Sequence, residues 1–263
     1  MDFKNIVIAS AANDCTIYAA EELKKYVRKV SGVNLEITDV KPSDGCFFSL
    51  GRTAAVSDGD YGKMISALNG DGYYISAKDG NIFLAAKTDR GLIYAAYEYI
   101  ENFLGVRFLT AEEEFVPRGR KIVLPTEPVT KTPLFNMRTY LTGDVFQERS
   151  DADFIAKTRT VDLFTESDEA HGGRLTVYGR NCNHNFHNYV PFEVYGNDHP
   201  EFYRFIHVNG ETLPTVDITN GLTESGEVDE KKEVSVVKIV AEEIKKDLAK
   251  YPELEVVCLT QED

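Results

Sequence analysis

Three of the five histidines, His184, His187 and His199, fall within sixteen residues. Their neighbourhood reads His184-Asn185-Phe186-His187, then Val190-Pro191, Tyr195 and His199-Pro200-Glu201-Phe202-Tyr203. Imidazoles at short spacing suit a divalent metal such as zinc. The pair His184/His187, however, lacks the glutamate of an HExxH site and lies among Asn, Phe and Pro rather than on a helix. A sugar-binding wall accounts for the same residues better. Imidazole and amide groups exchange hydrogen bonds with hydroxyls, while Phe186, Tyr189 and Tyr203 offer faces to C–H surfaces. Tyr195 and Asn220 extend that wall, and no metal or cofactor is assigned. The chain has no Trp, the commonest sugar platform, but its 14 Tyr and 15 Phe can substitute.

Carboxylates are the other requirement of sugar chemistry. Most glycosidases place two carboxyl groups roughly 5 to 10 Å apart, one donating a proton to the leaving oxygen and one acting as nucleophile or base. The weak candidates are Glu262 and Asp263 at the end of the apolar run Leu254 to Leu259. Adjacent side chains on a strand point to opposite faces, so the two cannot both enter one cavity if that strand continues. Arg138, inside the run Phe135 to Leu141, points into a functional cavity or is a salt-bridged surface residue. The cysteines Cys15, Cys46, Cys182 and Cys258 show no CxxC spacing and read as ordinary thiols. No Gly-rich phosphate loop, GxSxG or kinase motif competes.

A formal net charge of −14 with no Lys/Arg stripe repels a phosphate backbone, which argues against nucleic acid as a partner. No apolar run approaches the ~20 residues of a membrane span, so no membrane partner is expected. Met1 to Ser10 does not resemble a signal peptide; the chain reads as cytoplasmic as given, and as periplasmic or secreted if a leader was removed. At 263 residues it falls short of an accessory domain plus a complete (β/α)8 barrel of ~250 residues, which predicts a truncated barrel.

The elements that would position these residues follow from local patterns. Asn5 to Ala9 predicts a strand. A helix follows through Ile17, Ala20, Leu23, Val27 and Val30 and closes at Ser31-Gly32. Asn34 to Thr38 and Cys46 to Leu50 read as strands, and Tyr61 to Leu68 as a short helix. Gly72 to Ala77 and Ile82 to Ala86 form a hairpin about Asp79-Gly80. Thr88-Asp89 caps a mostly buried helix from Arg90 to Phe103, followed by short strands at Val106 to Leu109 and Lys121 to Leu124. The prolines Pro117, Pro125, Pro128 and Pro133 mark a semi-extended connector. Beyond it, Phe135 to Leu141, Leu175 to Tyr178 and Leu254 to Leu259 predict barrel strands; Asp151 to Thr160 and Glu233 to Lys250 predict helices. Glu166 to Arg174 reads as loop.

The ordered series Asp71-Gly72-Tyr73-Tyr74-Ile75, Asp79-Gly80, Thr88-Asp89-Arg90-Gly91-Leu92 and Leu104-Gly105-Val106-Arg107-Phe108 resembles the N-terminal domain preceding the barrel in α-glucuronidases and family 20 β-N-acetylhexosaminidases. The resemblance implies a noncatalytic domain packed on a barrel. It also implies that Arg138 corresponds to an arginine gripping sugar hydroxyls from the first barrel strand. The Asp-Glu pair of family 20 follows the fourth barrel strand, so Glu262-Asp263 falls one strand too early to inherit its role. A second series, from His184 through Pro191, Tyr195, His199 to Tyr203, Asn209-Gly210 and Asp217 to Asn220 to Leu259-Thr260-Gln261-Glu262-Asp263, is similar to the barrel of a bacterial domain-of-unknown-function family.

The expected fold is therefore α/β. A two-layer α/β sandwich over 1–125, hexosaminidase domain 2-like, leads through a linker at 126–133 to the first part of a TIM-type barrel over 134–263. The expected function is glycoside hydrolysis of a uronic-acid- or hexosamine-containing glycan by the longer protein, the chain alone being inactive. The alternatives are a noncatalytic carbohydrate-binding protein and a His-cluster metal-dependent hydrolase. Open edges of an incomplete barrel predict a homodimer.

Overall fold

The computed structural model describes residues 2–138, 152–161, 168–173, 175, 184–254 and 256–260. The chain divides into two compact units, Met1–Arg174 and Leu175–Asp263.

The first unit contains β1 (Phe3–Val7), α1 (Asp14–Ser31), β2 (Glu36–Thr38), β3 (Cys46–Leu50), α2 (Asp58–Ile65), β4 (Tyr73–Lys78), β5 (Asn81–Ala86) and α3 (Asp89–Asn102). It continues through β6 (Arg107–Phe108), β7 (Glu114–Phe115), β8 (Val129–Lys131) and α4 (Ala152–Lys157). Six of the strands form one mixed sheet in the order β2-β1-β3-β5-β4-β8. β2, β1, β3 and β5 run parallel, and β4 is antiparallel to both β5 and β8.

Period-two alternation sends Phe48, Leu50, Tyr73, Ile75, Ile82 and Leu84 to the face covered by α1 and α3. Phe47 and Phe83 go to the opposite face, where α2 covers them in part. The register of β1 shifts against β3 between Phe3 and Asn5, and this bulge lets Phe3 and Ile6, three residues apart, reach the same core. Asp79 (φ 53°) and Gly80 (φ 80°) make the two-residue turn of the β4–β5 hairpin.

Local chemistry explains why the two long helices start where they do. The side chains of Asn13 and Thr88 accept hydrogen bonds from the backbone N–H groups of Thr16 and Gly91, both at 3.0 Å. Gly32, at φ 78°, ends α1 in the left-handed conformation. Gly91 lacks a side chain for a packing reason. A Cβ there would lie 3.0 Å from both Ala86 Cβ and the Gly72 carbonyl. Every residue of α3 from Gly91 to Ile100 is buried, because the sheet and α1 cover one side and residues 152–160 add a partial third layer over the other.

Two expectations are corrected. The proline-rich stretch taken as a linker supplies β8, the sixth strand, paired with Tyr73 to Ile75 of β4. Lys121 to Leu124 is not a strand; Ile122 and Leu124 pack against the core without joining a ladder.

The second unit contains α5 (Phe186–Tyr189), α6 (Phe192–Tyr195), β9 (Tyr203–Val208), β10 (Glu211–Val216) and α7 (Val236–Lys250). β9 and β10 pair antiparallel about the turn Asn209-Gly210, with φ 53° and 87°. α7 begins at the fully buried Ser235, whose hydroxyl accepts the Lys238 N–H. Val236 and Val240 pack with Tyr189, Val190, Phe202, Tyr203 and Val216 into a small core. Of the expected barrel strands, Phe135 to Met137 carry no strand and Arg138 forms only an isolated bridge with Val161, while 139–141 and 176–178 lie outside the described residues and 257–260 carries no strand.

Candidate functional site

The second unit holds most of the polar residues singled out by sequence. His184 adopts φ 49°, a left-handed conformation uncommon for any residue but glycine and concentrated at functional positions. Next to it Asn185 is almost fully buried and pairs with a distant segment. Its Nδ2 donates to the Cys258 carbonyl at 2.7 Å, and its Oδ1 accepts the Thr260 N–H at 3.0 Å. Its own backbone N–H donates to the Thr260 carbonyl at 3.0 Å. Asn185 thus holds the end of the apolar run Leu254 to Leu259 beside His184 and α5, which carries the exposed His187. Sequence reading passed over Asn185, although an amide between two histidines was a signal available to it.

Tyr195, His199 and Asn220 meet around Glu201 and Phe202. The His199 ring stacks on Phe202 with centroids 4.5 Å apart, and its Nδ1 lies 3.1 Å from Glu201 Oε1. Tyr195 packs on the same Phe202 ring. Asn220 donates to the Glu201 carbonyl at 3.1 Å and accepts the Val236 N–H at 3.4 Å, so it orders the backbone around the cluster. The Glu201 carboxyl is held below its usual range by a backbone N–H and by His199.

Arg138 belongs to the first unit, and its guanidinium meets protein groups, as the salt-bridged alternative expected. Nε donates to the Arg159 carbonyl at 2.9 Å, and Nη1 to the carbonyls of Phe135 and Asn136 at 2.8 and 3.0 Å. Nη2 reaches Asp71 Oδ2 at 3.0 Å and the Tyr94 hydroxyl at 3.1 Å. A guanidinium has five N–H donors, and all five are occupied. Asp71 also receives Arg90 Nη1 at 3.3 Å and the Thr88 hydroxyl at 3.0 Å, so Arg138 closes a structural clamp around α3. Glu262 and Asp263 lie outside the described residues.

A further network escaped the sequence reading. Both ring nitrogens of His171 face carboxylates, Asp168 at 2.5 Å and Asp153 at 3.0 Å. Tyr18 donates to Asp153 at 2.8 Å, its hydroxyl meets that of Tyr97 at 2.5 Å, and Tyr97 donates to Glu22 at 3.0 Å. Burial pushes the Asp153 carboxyl up, but Tyr18, Lys157 and His171 outweigh it and hold the pKa low. These groups fasten α4 and the turn Glu169–His171 onto α1 and α3. Among the described residues, no three His, Cys, Asp or Glu side chains converge as metal ligands.

Residues 2–99 match the family model for the glycosyl hydrolase family 67 N-terminus. The N-terminal domain is α-glucuronidase-like. An α-glucuronidase of Hypocrea jecorina is 29% identical to this chain over 107 residues, 38% of the chain, and the chain spans only 12% of that relative's length. Among solved structures, a family GH115 4-O-methyl-α-glucuronidase with specificity for decorated arabinogalactans is 11% identical, with a TM-score of 0.40, over 76% of this chain and 33% of that one. A GH138 enzyme targeting pectin rhamnogalacturonan II is 18% identical, with a TM-score of 0.37, over 60% of this chain and 18% of that one. The GH20 β-N-acetylhexosaminidase of Streptomyces coelicolor A3(2) is 15% identical, with a TM-score of 0.34, over 51% and 23% respectively. In the α-glucuronidase-like domain the Thr88-Asp89-Arg90-Gly91 motif serves structure: Thr88 caps α3, Arg90 pairs with Asp71, and Gly91 lets α3 approach the sheet.

Proposed function

We propose that this chain works within a longer glycoside hydrolase, in which the α-glucuronidase-like domain precedes a barrel begun by residues 134–263. The observation that carries the reading is the match of residues 2–99 to the glycosyl hydrolase family 67 N-terminus. The substrate class is a uronic-acid- or hexosamine-containing glycan. His184 and His187 exchange hydrogen bonds with sugar hydroxyls, Tyr195 and His199 line the same wall, and Asn185 and Asn220 position the backbone that carries them. Asp263 acts as a sugar ligand or supporting acid, and the catalytic carboxyl pair lies elsewhere in the longer protein. The strained backbone of His184 and the pinning of Cys258 and Thr260 by Asn185 support this placement.

The test is to assay the 263-residue chain and a version extended through the rest of its reading frame on a panel of aryl α-glucuronides and aryl β-N-acetylhexosaminides. Turnover by the extended protein alone is the expected result. Saturable sugar binding without turnover by either would transfer the protein to the noncatalytic binding class.

A further inference from the structure

The face of the sheet turned away from α1 and α3 carries an open cavity of about 640 Å³, walled on one side by α2. This volume lies within the range of small-ligand sites, roughly 300–1,000 Å³. Alternation along β4 puts Tyr73 and Ile75 into the core and turns Tyr74, Ser76 and Lys78 to the cavity. The floor is aromatic: Phe47 and Phe83 meet edge to face, with centroids 6.2 Å apart. Beside them Ser76 is only 7% exposed, and its hydroxyl takes no partner among the described residues. Its oxygen opens on the cavity, where a ligand's polar atom can take the place of water. The Tyr74 hydroxyl is likewise unengaged among the described residues.

Charge selects the ligand. Three lysines, Lys41, Lys63 and Lys78, stand at the cavity against Asp60 and Asp79. Asp60 is already engaged by the Ser57 hydroxyl at 2.9 Å and by Lys63 at 3.5 Å. Lys41 and Lys78 have no ion-pair partner among the described residues. On a chain of net charge −14 this is a local reversal of sign. An apolar floor, free hydroxyls and ammonium groups without an ion-pair partner among the described residues together suit a saccharide that bears carboxylates.

We propose that this outer face is a docking site for a uronate-bearing oligosaccharide, separate from the histidine-bearing unit. The proposal rests on the glycan-hydrolase reading in the sense that such a site would hold the polymer that the longer protein cleaves. Lys41 and Lys78 contact carboxylates, Ser76 and Tyr74 take sugar hydroxyls, and Phe47 and Phe83 lie beneath a ring.

The test uses the full chain in isothermal titration with trigalacturonate, and with cellotriose as the neutral counterpart. The acidic trimer is expected to bind at least tenfold more tightly than cellotriose and to weaken as salt rises. The double variant Lys41→Glu/Lys78→Glu is expected to lose at least tenfold in affinity with an unchanged melting temperature, since both side chains are exposed. Lys245→Glu, on α7, is the charge control and is expected to bind like the parent. Absence of trigalacturonate binding, equal affinity for cellotriose, or full affinity in the double variant would each overturn the proposal. Aryl glycosides are too small to span such a groove. Their turnover by the extended protein therefore tests the hydrolase reading independently.

Discussion

At the scale of single residues, the first unit is fastened by buried charges that face several partners at once. Glu98, on α3, accepts from Tyr73 at 2.8 Å, Lys131 at 2.6 Å, Asn102 at 2.8 Å and Arg159 at 3.4 Å. Burial alone would raise its pKa; Lys131, Tyr73 and Arg159 outweigh that and hold it low. Removing one member of such a buried set leaves the rest uncompensated. Glu98→Ala is therefore expected to cost about 3 kcal/mol in urea unfolding, and a loss under about 1 kcal/mol would show that the network adds little. The depressed carboxyls of Glu98 and Asp153 also set the pH response. Their contribution is present above the ordinary carboxylate pKa of about 4 and is lost as the pH falls through the lowered folded values. Melting temperature should drop steeply below pH about 4, and Asp153→Asn should flatten that fall. Arg138→Ala should also lower the melting temperature, because its five donors all meet protein groups.

At the scale of elements, what could be read locally was read. The cap at Thr88, the Gly32 stop, the Asp79-Gly80 turn and the helical pattern of α7 each depend on residues within a few positions, and the corresponding elements lie within a few residues of expectation. The misses depend on partners far along the chain. β8 is three residues long and exists because β4, more than fifty positions earlier, offers an unpaired edge. Ile122 and Leu124 carry strand-like alternation, yet among the described residues they have no ladder neighbour, so their pattern reports burial alone. Arg138 was legible as a cavity-facing or salt-bridged arginine, but its partner was not, since Asp71 is 67 residues away. Asn185 finds its acceptor Cys258 73 residues away. The cap prediction belongs here: Asn13→Ala should destabilise by about 1 kcal/mol, measurable as a shift in the unfolding midpoint. Gly91→Val should cost more, because its side chain would enter the 3.0 Å space between α3 and the sheet. A variant as stable as the parent would contradict that packing.

At the scale of the whole molecule, the two units differ in how they are packed. The α-glucuronidase-like domain is dense with tyrosine, ion pairs and a two-sided helix core, and its match to the glycosyl hydrolase family 67 N-terminus is what ties the chain to glycans. The second unit has a smaller core and carries two polar groups, Tyr195, His199 and Asn220 around Phe202, and His184 with Asn185, which holds 258–260. The central claim is that this second unit handles sugar while Arg138 serves structure. The most direct test is kcat/KM of the extended protein, on the aryl glycoside it turns over best, for His184→Ala, His187→Ala and Arg138→Ala. Loss of a hydrogen bond to substrate should lower kcat/KM about tenfold or more for each histidine variant at unchanged melting temperature. Arg138→Ala should instead lower the melting temperature while keeping kcat/KM at assay temperatures well below it. Full activity in both histidine variants, or loss of activity in Arg138→Ala without loss of stability, would contradict the account.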